Sequence, residues 1–143
     1  MVDYVYRMKE RLILMTIEKE TITLKEKAVS FLQLVASGKI REAYTKYVGT
    51  DFRHHNPYFR GDADSLMRAM EEDAAQNTGK LLEVKLTIQE GDTVMVYSHM
   101  RRNQEDLGFA LVHTFRFHEN KIVEMWDIGQ PVPENSPNEY GMF

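Results

Sequence analysis

The 143-residue chain contains no cysteine. That absence excludes disulfides, thiol nucleophiles and thiolate metal sites together, and it suits a reducing compartment. No stretch approaches the run of about 18 apolar residues that a membrane helix needs. The longest candidate, Leu12-Ile13-Leu14-Met15, follows Arg7, Lys9 and Arg11 but stops at Glu18-Lys19-Glu20 and lacks a small-residue cleavage site, so it does not read as a signal peptide. There is no excess of positive charge either. The formal net charge is −4 and the basic residues are scattered, which predicts neither a nucleic-acid nor an anionic-membrane partner. Phosphate-binding glycine loops and a serine nucleophile elbow are also missing. The chain is therefore expected to be cytoplasmic.

What is present is an ordinary globular balance, 43% hydrophobic and 28% charged, which argues against disorder. The chain divides into a helical first half and a stranded second half, the pattern of an α+β domain. Three units are expected: an N-terminal extension over 1–22 with helical potential, a domain over 23–130, and an extended tail over 131–143 containing Pro131, Pro133 and Pro137. Thr23 with Glu26 forms a capping box, Leu24, Ala28, Phe31, Leu32 and Val35 repeat at helical spacing, and Gly38 supplies the stop. A short helix follows with Ile40, Ala43, Tyr44 and Tyr47 on one side. Extended residues 52–55 come next, then a third helix capped by Asp62 or Asp64 with Leu66, Met70 and Ala74 on its buried stripe.

Beyond Gly79 the periodicity switches to two. Leu82, Val84, Leu86 and Ile88 alternate with polar residues, a turn at Glu90-Gly91-Asp92 leads into Thr93 to Arg101, and a third strand spans Gly108 to His118. Glu119-Asn120 fits a two-residue hairpin turn into the last strand, Ile122 to Ile128. Helices followed by an antiparallel meander predict a bent sheet enclosing a cavity, the usual seat of a small ligand.

Strand alternation assigns faces. Phe109, Leu111, His113, Phe115 and Phe117 share one, which embeds His113 among apolar groups. His99 lies with Met95, Tyr97 and Arg101. Asp127 lies with Val123 and Met125, whereas Glu124 lies with Ile122, Trp126 and Ile128, and alternation does not say which carboxylate faces the cavity. His54 and His55 point to opposite sides, so only one of them enters a pocket. A carboxylate in an apolar pocket has its charged form disfavoured and can remove and return a proton beside a carbonyl. Asp127 is the candidate for that role, with His55, His99, His113 and Tyr97 as hydrogen-bonding partners for an enolate oxygen. Its alternative is a strand-end carboxylate that caps a turn or pairs with Arg101 or Arg116. No metal-ligand spacing is recognisable.

Several segments together resemble the SnoaL-like branch of the nuclear transport factor 2-like superfamily. They are His55-Asn56-Pro57 with Gly61, Glu90-Gly91-Asp92-Thr93-Val94, Phe115-Arg116-Phe117, and Lys121 to Asp127 with Trp126-Asp127 at its end. The ending Gln130-Pro131-Val132-Pro133 is similar to the polyketide-cyclase or aldol-condensation subgroup, and the similarity covers roughly residues 24–143. The resemblance implies a cone-shaped α+β barrel, also described as cystatin-like, in which a strongly curved antiparallel sheet packs on N-terminal helices. It implies a homodimer joined through the outer sheet face. It also implies ring closure by aldol chemistry, or isomerisation, of a small apolar or carbonyl-containing molecule, without metal or cofactor. Asp127, His99 and His55 would be catalytic, and His113, Tyr97, Trp126, Phe115 and Met125 would bind substrate. The alternative is a ligand-binding or dimerisation module without catalysis. The sequence departs from the subgroup at Met125, where a histidine is usual, and at His113, where an aspartate often stands.

Overall fold

The computed structural model describes residues 1–15 and 22–143 in full and residues 16–20 as helical backbone. Helix α1 spans Val2–Glu20, and its described side chains, 1–15, are all exposed. Helix α2, Leu24–Ala36, begins at the expected capping box: the Glu26 amide donates to Thr23 Oγ1 at 3.1 Å and the Thr23 amide donates to Glu26 Oε2 at 2.7 Å. Helix α3, Ile40–Tyr47, buries the four residues that its periodicity marks, Ile40, Ala43, Tyr44 and Tyr47. Strand β1, Val48–His54, then leads through a turn to α4, Ala63–Gln76, which Asp62 caps by accepting from the Ser65 amide at 2.8 Å.

Four longer strands follow: β2 Leu81–Glu90, β3 Thr93–Arg101, β4 Phe109–His118 and β5 Lys121–Pro131. The β4–β5 turn places both Glu119 (φ 48°) and Asn120 (φ 64°) in the left-handed region, as a two-residue turn of the primed kind requires. The sheet order is β1-β5-β4-β3-β2. Neighbours are antiparallel except β1, which runs parallel to β5. The sheet is thus mixed rather than antiparallel throughout. No hairpin joins β1 to β5, so nothing in the connection imposes opposite directions.

Two bulges change the faces that strict alternation assigns. In β2 the register shifts between Val84 and Leu86. Leu82 and Val84 consequently pack against the core, while Leu86 and Ile88 turn to the outer face and are exposed. In the β4–β5 ladder the shift falls at Arg116/Phe117, which pairs Phe117 with Ile122 but Arg116 with Glu124. Ile122 therefore lies buried beside Met125 and not on Glu124's side. An extra residue in one strand re-aims everything beyond it.

The core sits between the inner sheet face and helices α2, α3 and α4. Phe31 of α2 meets Phe115 edge-on at 5.7 Å and Tyr44 of α3 at 5.6 Å, and Tyr44 meets Phe52 of β1 at 6.2 Å. Among the described residues no helix is long and apolar enough to cross a membrane.

Candidate functional site

A cavity of about 360 Å³ opens between α2, α4 and the inner sheet face. Its walls are mostly apolar, including Leu32, Met70, Leu82, Met100 and Leu111. Gly129 stands opposite Leu111 on β5, and a Cβ there would come within 2.7 Å of the leucine's Cδ2, so glycine leaves this side chain room.

The polar groups gather at two places. At the first, Asp127 of β5 is the direct cross-strand partner of His113 of β4, and both line the cavity. Asn56, in the turn after β1, donates from Nδ2 to Asp127 Oδ2 at 2.9 Å, and its own Oδ1 accepts from the Tyr58 amide at 3.0 Å. One carboxylate oxygen is thereby fixed, and among the described residues no hydrogen bond reaches Oδ1. His113 Nδ1 is shut off from solvent and has no partner among the described residues. Burial holds the imidazole below its ordinary range, with the Asp127 charge acting in the opposite sense. Tyr44 lies close enough for Asp127 to bear on it. Burial first, and then that negative charge, push its phenol above the usual range.

The second polar group is Lys80, just before β2, ion-paired with Asp73 of α4, and both also line the cavity. Asp73 additionally accepts from Asn77 Nδ2 at 2.9 Å. Burial, followed by the charge of Arg102, lowers the Lys80 ammonium from its ordinary value.

Four of the residues expected at the site lie on the opposite side of the sheet, which corrects their assignment. His99 and Tyr97 occupy the outer face of β3, under the C-terminal tail: Phe143 stacks on His99 at 4.3 Å, His99 Nε2 contacts the Leu107 carbonyl at 2.7 Å, and the Tyr97 hydroxyl donates to the Met142 carbonyl. The tail thus covers the outer face and not the cavity. His55 and Trp126 stack on each other at 4.9 Å and 10°, also outside. The histidine is tied to Glu124 at 2.7 Å. Neither histidine of the His54-His55 pair enters the cavity, because His54 is buried with Nδ1 accepting from the Asn56 amide and Nε2 donating to the Arg60 carbonyl. Phe115 and Met125 do face inward but are sealed in the core, 0% and 1% exposed, so they support the site without lining it.

Glu124, the rival carboxylate, points outward. Arg53 grips it at 2.8 and 3.2 Å, and Arg116 and His55 reach it at 3.0 and 2.7 Å. The hydrogen bonds from Arg53 and His55 dominate and draw its carboxyl down to about 2. This cluster takes up Arg116, which leaves Asp127 to Asn56.

Asp73 and Lys80 were not singled out from the sequence, and Asn56 entered only as part of the His55-Asn56-Pro57 segment, without a role at the site. Asp73 could have been, since it continues the stripe Leu66, Ala69, Met70 at helical spacing. Asn56 and Lys80 sit in turns, where periodicity carries no information about direction.

No family model and no curated protein matches the chain. Solved structures do. A nuclear transport factor 2-like protein of unknown function from Cytophaga hutchinsonii superposes with a TM-score of 0.62 at 18% identity, covering 79% of this chain and 95% of that one. A candidate polyketide cyclase from Acidithiobacillus ferrooxidans gives 0.61 at 18%, over 77% and 89%. An uncharacterised cystatin-fold protein from Novosphingobium aromaticivorans gives 0.61 at 18%, over 76% and 99%. The architecture is therefore the nuclear transport factor 2-like, or cystatin-like, α+β fold. Structures with this fold include candidate polyketide cyclases.

Proposed function

We propose that the chain is a SnoaL-like enzyme that performs acid–base chemistry on a small carbonyl compound, as aldol-type ring closure or isomerisation, without a cofactor. One observation carries this reading: Asp127, with one oxygen fixed by Asn56, stands beside His113 in a mostly apolar cavity that both line. Asp127 Oδ1 takes the proton from the carbon next to the carbonyl. As the enolate forms, negative charge grows on the carbonyl oxygen, and the His113 tautomer with its proton on Nε2 offers that oxygen a hydrogen bond. Fixed donors in a water-poor site are the strongest single device for such charge. The protonated Asp127 then returns the proton elsewhere on the ligand, or the enolate attacks a second carbonyl and the alkoxide so formed takes the proton from Asp127.

Candidate polyketide cyclases stand among the structures with this fold, which agrees with a ring-closing reading. The direct test is deuterium exchange at the α carbon of 2-decanone in D2O, followed by NMR. Wild type exchanges, whereas Asp127→Asn, which is isosteric, loses exchange by on the order of a thousandfold while its circular dichroism is unchanged. Equal exchange by the variant would defeat the assignment.

The outer face favours a second feature, the homodimer. Leu86, Ile88 and Ile128 are exposed there, and a second copy of the chain would cover them. If Asp127→Asn exchanges normally, the remaining reading is a ligand-binding or dimerisation module of the same fold. Localisation in the cytoplasm completes the proposal, on the cysteine-free composition.

A further inference from the structure

We infer that Lys80 forms a carboxylate-binding pole at the other end of the cavity, so that the molecule held there is an oxo acid with its ketone at Asp127 and His113 and its carboxylate at Lys80. The inference rests on the acid–base reading for the ketone end and adds the class of substrate.

The argument begins with where the lysine lies. Its side chain is 14% exposed, against 47% for its partner Asp73. A lysine withdrawn from water to this degree needs a partner for its charge, and Asp73 supplies one on one side. Both partners line the cavity, and the lysine side chain is the more enclosed of the two. Asp73 also keeps a second donor, Asn77 Nδ2, so it is not stranded when the ammonium turns to a ligand. An ammonium has three donors, and Asp73 is the only acidic partner recorded for it among the described residues. The Arg102 charge reaches Lys80 as well, which makes this end more positive than an isolated pair.

The charges of the two ends then orient the ligand. Asp127 repels a carboxylate from the first end and Lys80 attracts it to the second, so the anionic group and the ketone each have one favoured place. Leu82, Met100, Leu111 and Met70 fill the wall between them and suit an aliphatic spacer. A single ammonium already shared with one carboxylate fits a monoanion better than a phosphate, which calls for several convergent donors.

The experiment compares 9-oxodecanoate with 2-decanone, which carries the same kind of ketone and no charge, by calorimetry. Wild type should prefer the oxo acid. In Lys80→Met the affinity ratio of oxo acid to ketone should fall at least tenfold, and Lys80→Arg should recover part of it. Asp73→Asn, which removes the competing carboxylate, should move the ratio the other way and tighten oxo-acid binding several-fold. A purely structural ion pair predicts something different: both substitutions lower the melting temperature and neither moves the ratio. That result overturns the inference, as does a wild type that does not prefer the oxo acid. Should Lys80→Met fail to fold, the opposite-signed Asp73→Asn and the Lys80→Arg ratio still decide. The two readings separate cleanly. Asp127→Asn that keeps α-proton exchange sinks the acid–base assignment, whereas an unmoved affinity ratio sinks only the Lys80 pole.

Discussion

Asn56 donates through Nδ2 to Oδ2 of Asp127 at 2.9 Å, across 71 positions of sequence, and so ties the turn after β1 to the carboxylate on β5. The bond selects one oxygen and sets the plane of the group. The parallel pairing of β1 with β5 brings the two together, since the His55 amide, one residue earlier, donates to the Met125 carbonyl at 2.9 Å.

Asn56→Ala frees Asp127 to rotate. Misplacing a reacting group by even 1 Å costs up to about a hundredfold, so the exchange rate should fall by roughly tenfold to a hundredfold with ligand affinity changed much less. A fall in affinity alone, with the bound-state rate intact, would show that Asn56 acts on the ligand and not on Asp127.

His113→Phe removes a buried nitrogen that has no partner among the described residues. An unsatisfied buried polar atom costs about 1–3 kcal/mol, so this variant should be more stable than wild type in urea by about 1 kcal/mol, and at the same time slower in exchange. Gain of stability with loss of rate is the expected trade at a functional site. Loss of both would assign His113 to packing against Phe115, on which it stacks at 6.1 Å.

Acid stability should follow Glu124. Its carboxyl lies at about 2 in the fold against an ordinary 4.5, so the folded state holds its charged form more strongly than the unfolded chain does. That contribution is complete above about pH 4.5 and is lost as pH falls from there toward about 2. Asp62, Glu83 and Asp106 are also lowered, and each acts in the same direction. Melting curves between pH 7 and pH 3 should show the decline, and Glu124→Gln should narrow the gap by lowering the neutral-pH value. An unchanged gap would mean that the arginines around Glu124 do not stabilise the fold.

Gly108→Ala should be severely destabilising. The residue has φ +73°, and a Cβ would lie 2.0 Å from the Met100 carbonyl oxygen, a backbone atom that cannot swing away. Positive φ alone costs a β-carbon residue about 1 kcal/mol, and the clash should take the total above about 3 kcal/mol, read as a shift in the urea midpoint. Gly38, also at positive φ but with open space around it, serves as the milder control.

Much of this molecule was legible in its sequence because the signals are local. The Thr23-Glu26 capping box, the buried quartet of α3 and the left-handed Glu119-Asn120 turn each depend on residues within a few positions of one another, and each formed where periodicity and turn chemistry placed it. Alternation alone grouped His113 with Leu111 and Phe115 on one face of β4, and the structure made that face the inner one.

Only the tertiary structure decided which carboxylate meets the cavity. Asp127 and Glu124 are three residues apart on one strand, and alternation puts them on opposite faces without saying which face is inner. The helices settle that by covering one side. The same covering sent His99, Tyr97, His55 and Trp126 outside, and two bulges, at Val84/Leu86 and Arg116/Phe117, reversed the local alternation. Asn56, Lys80 and Asp73 join the site through contacts made after the sheet closes on its helices, and no pattern of period two or 3.6 encodes a meeting between distant turns.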